Sequence, residues 1–67
     1  MIVFSHESVA KSYFDPEIKF AIFLVNQDDE SDEIWGTAKD EEEAKYGVES
    51  LTAAYNSPKY QFYYKAK

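Results

Sequence analysis

The sequence predicts a small α+β domain built on an antiparallel three-stranded sheet with one main helix packed on one face. Three observations predict it: a strand that is apolar on both sides, an amphipathic helix with a capping signal, and an alternating strand at the C-terminus. We also expect a short N-terminal helix and leave open a fourth short strand before it. The length of 67 residues leaves room for one domain, 1–67.

Residues 18–25 are the most clearly indicated strand, because after Lys19 apolar side chains occupy both alternating faces. A polar turn over 26–31 and a returning strand over 32–37 complete a hairpin. Ile34 and Trp35 would then point to opposite sides of the sheet. Since Phe23 and Val25 would face away from the main helix, either residues 1–16 or a second copy of the chain must cover them.

The main helix begins after Asp40, which has Glu43 three residues later in a capping-box pattern. An apolar stripe with helical spacing follows: Ala44, Val48, Leu51 and Tyr55. Gly47 costs about 1 kcal/mol relative to alanine inside a helix, which indicates a close approach of the helix backbone to the sheet. The helix should end at residues 56–58, and residues 59–67 alternate as a half-buried strand.

The N-terminal segment has Ser5 as a candidate N-cap, helical spacing over 6–14, and a stop at Asp15 and Pro16. The chain contains no cysteine and one histidine, His6, so we expect neither disulfides nor a structural metal. Aromatic residues make up 18% of the sequence. Aromatic side chains should therefore supply most of the core.

The acidity of the chain is local. Nine of its 13 carboxylates lie between residues 28 and 43, where Lys39 is the only basic residue, so this stretch has a formal charge of −8. The other residues carry six lysines against four acids. The nine acids, which we predict to bind a partner, are Asp28, Asp29, Glu30, Asp32, Glu33, Asp40, Glu41, Glu42 and Glu43. We expect the acids of the loop and of the first helical turn to lie near each other and to bind a positively charged partner.

Catalytic and metal-binding patterns are not indicated. Ser5, His6 and Glu7 have the residue types of a hydrolase triad, but consecutive side chains diverge. In the acidic loop an EF-hand register fails, since Glu33 falls where glycine is needed and Lys39 where the bidentate glutamate should be. We therefore predict a protein that is not an enzyme and needs no cofactor, with a loose divalent-cation site as a minor alternative.

The remaining charges argue against direct binding of nucleic acid or membrane. Lys59, Tyr63, Lys65 and Lys67 lie on one side of the last strand, a pattern typical of a solvated strand that resists edge pairing. A net charge of −6 would be repelled by phosphates and by anionic lipids. The longest apolar run, 20–25, is far shorter than the ~20 residues that span a bilayer, and no signal peptide is indicated. We expect a cytoplasmic protein.

In size, charge and lack of cysteine the chain resembles the DNA-mimic inhibitors that phages and mobile elements carry against host defence, including anti-CRISPR and anti-restriction proteins. The nine carboxylates carry this resemblance, which is one of class and includes no motif. It implies an inhibitor that occupies the nucleic-acid site of a larger basic protein, and we expect a monomer or homodimer. Because they lie inside the acidic segment, Ile34 and Trp35 are candidate hydrophobic anchors, with the core as the favoured place for Trp35. The alternative is a structural or accessory interaction protein, a homodimer or a subunit, whose acids serve only solubility.

Overall fold

The computed structural model describes residues 3–25 and 33–67. The expected turn over 26–31 lies outside the described residues. Within them the elements are β1 (Val3–Phe4), α1 (Glu7–Tyr13), β2 (Phe20–Val25), β3 (Glu33–Ala38), α2 (Glu41–Ala54) and β4 (Gln61–Ala66). The α+β class is confirmed.

The sheet has four strands in the order β1-β3-β2-β4 and is mixed, so the prediction of a three-stranded antiparallel sheet is wrong. Strand β2 is antiparallel to both of its neighbours, whereas β1 runs parallel to β3. The Cα partners of Val3 and Phe4 are Glu33 and Ile34, and the amide of Ser5 continues the pairing by donating to the Ile34 carbonyl at 3.0 Å. A parallel pair needs a long crossover connection, and α1 and β2 supply it between β1 and β3.

A β-bulge in β3 determines which side chains face α2. The register changes from Ile22 opposite Gly36 to Phe23 opposite Ile34, so Trp35 is the extra residue. Trp35 and Gly36 therefore lie on the side of α2, and Ile34 lies on the opposite side. The expectation that Ile34 and Trp35 point to opposite sides agrees with this arrangement.

Helix α2 approaches the sheet closely at two glycines. A Cβ placed on Gly47 would lie 2.4 Å from Cδ1 of Ile22, and one placed on Gly36 would lie 3.3 Å from the same atom. The Ile22 side chain thus occupies space that any other residue at position 47 would need. The close approach predicted from Gly47 is confirmed.

The fully buried core is small and mostly aliphatic. In the described residues it consists of two isoleucines and three alanines: Ala21, Ile22, Ile34, Ala38 and Ala44. The aromatic side chains surround this core in pairs, such as Phe23 stacked on Tyr63 with ring centroids 5.2 Å apart. The aromatic rings therefore extend the apolar interior to the surface instead of filling its centre.

Helix α1 is close to its predicted bounds but begins differently. His6 occupies the N-cap position without a side-chain cap, and the hydroxyl of Ser5 instead hydrogen-bonds to Nδ1 of His6 at 3.1 Å. The prediction of Ser5 as the N-cap is wrong, because the backbone of Ser5 still continues the pairing with β3. Helix α1 packs against β1 and β3, with Tyr13 in edge contact with Phe4 at 5.4 Å.

Candidate partner-binding surface

The first turn of α2 concentrates four of the predicted partner-binding acids. Asp40 is the N-cap, with extended backbone angles, and its Oδ1 accepts a hydrogen bond from the amide of Glu43 at 2.8 Å. Glu41, Glu42 and Glu43 follow in the first turn, where the amide groups and the positive end of the helix dipole stabilise anions. The capping function predicted for Asp40 is confirmed, and all four residues are exposed.

One of these acids, Glu41, forms an ion pair within the molecule. Glu41 lies 3.5 Å from Nζ of Lys45, one helical turn later, and both side chains are about 60% exposed. A solvated pair of this kind contributes only about 0.3–0.5 kcal/mol. No lysine of the residues 3–25 and 33–67 forms an ion pair with Glu42 or Glu43. These two carboxylates are therefore available to a partner.

Glu33 does not join this cluster. It is the first residue of β3, whereas Asp40 follows the end of that strand, and six strand residues extend about 17–20 Å. Glu33 is half-buried, and its Oε2 accepts a hydrogen bond from Nε1 of Trp35 at 3.1 Å. The expected proximity of loop and helix acids therefore fails for Glu33. The other predicted acids, Asp28, Asp29, Glu30 and Asp32, lie outside the described residues.

Neither candidate hydrophobic anchor is an exposed contact residue. Ile34 is 0% exposed, buried in the sheet next to Phe23 and Phe4. Trp35 is half-buried in an aromatic cluster, with its ring centroid 5.1 Å from that of Tyr55 and 5.8 Å from that of Phe62. The assignment of Ile34 as an anchor is wrong, and Trp35 instead joins β3 to the end of α2 and to β4.

The aromatic residue that does accompany the acids is Tyr46, which the sequence interpretation missed. Its side chain is 72% exposed on α2. Glu42 precedes it by four residues and Glu49 follows it by three, so helical spacing places all three on one stripe. This spacing was present in the sequence and is the signal that could have identified Tyr46.

Ser5, His6 and Glu7 are not arranged as a catalytic triad in the structure. Ser5 and His6 share an exposed hydrogen bond, but the carboxylate of Glu7 lies 4.0 Å from Nζ of Lys11 on the surface of α1. A catalytic triad requires the acid to orient the histidine. In the described residues no hydrogen bond joins Glu7 to His6, so Glu7 does not orient the histidine.

Two lysines of the C-terminal segment make contacts within the molecule. Nζ of Lys67 donates to the backbone carbonyls of Tyr13 and Asp15 and lies 5.0 Å from the centroid of the Tyr13 ring. Nζ of Lys65 lies 5.9 Å from the centroid of the Phe23 ring. These contacts favour a structural role for the basic end of β4, the edge strand next to β2.

Three further findings concern metal-binding clusters, membrane-spanning helices and similarity to known proteins. They contain no group of three or more His, Cys, Asp or Glu side chains placed to hold a metal ion. None of the helices in ranges 3–25 and 33–67 is long and apolar enough to cross a membrane. No protein-family model matches the chain, and comparison with curated proteins and with solved structures finds no similar protein.

Proposed function

We propose that the protein is a non-enzymatic binding protein whose acidic surface occupies the cationic, nucleic-acid-binding site of a larger basic protein. The observation that carries the proposal is the exposed first turn of α2, where Glu42 and Glu43 have no lysine partner among the described residues. Repulsion among these carboxylates is offset at the helix terminus. The capping hydrogen bond from the Glu43 amide to Asp40 and the positive end of the helix dipole both stabilise the first turn.

Carboxylates can substitute for phosphates in such a site. Ionised Asp and Glu are acceptors only, as phosphate oxygens are, and both bind the guanidinium and ammonium groups of a nucleic-acid groove. From Glu42 to Glu49 the axis of α2 rises by about 10 Å. Duplex DNA carries about six negative charges over the same length, at one per ~1.7 Å. The same span of α2 carries three carboxylates, Glu42, Glu43 and Glu49, and one cation, Lys45, so α2 offers fewer charges than duplex DNA of that length. The specific form that we propose is an inhibitor of anti-CRISPR or anti-restriction type.

The test begins with capture of host proteins on the immobilised chain at low and high salt. A captured protein supports the proposal only if it binds nucleic acid, if duplex or single-stranded DNA displaces it, and if its affinity falls steeply as salt rises. An affinity that does not depend on ionic strength would contradict the proposal.

A pair of charge-reversed variants locates the contact. We expect Glu42→Lys with Glu43→Lys to weaken binding to the purified partner by roughly tenfold or more at low salt, since attraction becomes repulsion at two positions. The matched control is Glu7→Lys with Glu17→Lys, which changes the net charge equally at exposed positions outside α2. If both double variants weaken binding equally, only net charge matters and the α2 surface is not the contact.

A second candidate function is association through the sheet face opposite α2. Phe23 and Tyr63 are stacked on this face with an interplanar angle of 12°, and Val25 is half-buried in the same strand as Phe23. Among the described elements the one on this side is α1, which packs against β1 and β3. A homodimer would bury Phe23 and Val25 further. Sedimentation at micromolar concentrations decides this, because a monomer would remove the candidate.

A further inference from the structure

Tyr46 differs from the other exposed aromatic residues of the described chain. Phe14 is equally exposed, at 71%, but its ring contacts Phe4 and Tyr13. Tyr55 and Tyr60 belong to the cluster around Trp35. In residues 3–25 and 33–67 no ring contact involves Tyr46, although its side chain is 72% exposed. A large aromatic surface is therefore left in solvent at one point of α2.

Helical geometry places this ring opposite the buried side of α2. Ala44, two residues earlier, is 0% exposed and faces the sheet, and two residues correspond to about 200° of rotation around the axis. Glu42, Glu43 and Glu49 lie three or four residues from Tyr46, at about 5–6 Å between Cβ atoms. All three glutamates are exposed. The ring thus lies on the outward side of α2, with these carboxylates and the exposed Lys45, which pairs with Glu41, beside it.

This combination fits one side chain better than others. A guanidinium is planar, stacks on an aromatic face and is more weakly hydrated than an ammonium, while its N–H groups can donate to an adjacent carboxylate. Tyrosine also supplies contact area at a low cost in conformational entropy. Both Tyr and Arg are frequent among the residues that contribute most of the binding energy of an interface. We propose that Tyr46, with Glu42 and Glu49, forms a site for an arginine side chain of the basic partner; this inference rests on the proposed function for the identity of that partner.

The site can be tested without the partner. The probe is an acetylated hexa-arginine amide titrated into the uniformly ¹⁵N-labelled protein, with the hexa-citrulline and hexa-lysine peptides as controls. We expect saturable shifts at residues 42–50, binding of hexa-arginine several-fold tighter than hexa-lysine, and no saturable binding of the citrulline peptide. Shifts that map outside α2, or equal affinities for arginine and lysine, would overturn the proposal.

Variants separate stacking from charge. We expect Tyr46→Ser to weaken hexa-arginine binding about fivefold by the same factor at every salt concentration, while Tyr46→Phe stays within about twofold of the original. Glu42→Lys should instead reduce the slope of affinity against salt concentration. The control is Phe14→Ser, which removes an equally exposed ring directly after α1 and should leave binding unchanged. A Tyr46→Ser protein that binds like the original refutes the inference.

The two proposals can fail separately. If hexa-arginine binds at Tyr46 as expected but no captured protein is displaced by DNA, the proposed function fails and the arginine site remains. If a DNA-displaceable partner binds with steep salt dependence but tolerates Tyr46→Ser, the proposed function remains and the arginine site fails.

Discussion

Because Ile22 contacts Gly47, Gly47→Ala should destabilise the protein when residue 22 is isoleucine and stabilise it when residue 22 is valine. In an exposed helix, glycine to alanine stabilises by about 1 kcal/mol. At position 47 the new Cβ would lie 2.4 Å from Cδ1 of Ile22, which is itself 3% exposed and close to Gly36. Overpacking of this kind costs about 1–3 kcal/mol. We therefore expect Gly47→Ala to lower the free energy of unfolding by about 1 kcal/mol.

Removing the clashing atom should reverse this result. Ile22→Val deletes Cδ1 and costs about 0.5–1.5 kcal/mol when made alone. In the double variant the alanine methyl occupies the vacated space and the helix gains its propensity. The stability should then return to within about 0.5 kcal/mol of the original, which is a favourable coupling of about 2 kcal/mol between adjacent residues.

Urea unfolding monitored by fluorescence measures each term, because Trp35 is the sole tryptophan and packs against Tyr55. Ser50→Ala, at an exposed position of the same helix, is the control for helix propensity without a new contact. The reasoning is refuted if Gly47→Ala stabilises the protein, or if the double variant shows the sum of the two single effects.

Three further predictions concern single contacts. Asp40→Ala should lower the free energy of unfolding by about 1 kcal/mol through loss of the cap, whereas Asp40→Ser should retain most of it; equal losses in urea unfolding would contradict a capping role. Lys67→Ala removes two hydrogen bonds, one to the last residue of α1 and one to Asp15, so amide exchange of α1 should accelerate while that of α2 stays unchanged. Glu33→Ala should speed solvent exchange of the Trp35 indole N–H; an unchanged indole signal would show that the bond does not persist in solution.

Local patterns in the sequence were sufficient for the central elements. The apolar run within residues 18–25, which fills both faces of the strand, predicted β2. The spacing of Asp40 and Glu43 predicted the start of α2, because a cap depends on residues three apart. The position of β1 could not be predicted in the same way. Two residues, Val3 and Phe4, carry no periodicity, and their partners in β3 are 30 positions away. The register change at Trp35 likewise depends on pairing with β2, which no local pattern encodes.

The candidate surface was predicted in part, for a similar reason. The acids of the first turn of α2 follow from sequence spacing, but the separation of Glu33 from them depends on the length and direction of β3. Ile34 was a candidate anchor because it lies among acids in the sequence, whereas in the structure it lies on the sheet face opposite α2 and is 0% exposed. Tyr46 lies outside the apolar stripe of α2, and its exposure depends on the absence of a neighbouring element in the described part of the chain, which no local pattern encodes.

Ile22 packs between Gly36 and Gly47, and this packing affects how the exposed side of α2 can change during evolution. The contacts of Ile22 with Gly36 and Gly47 lie on the inward side of α2, away from its exposed first turn. Side chains on the solvent side can then be exchanged without shifting the backbone that presents them. Substitutions on the solvent side of α2 can therefore change the charge and shape of that side, by mutation or by design, at little risk to the fold.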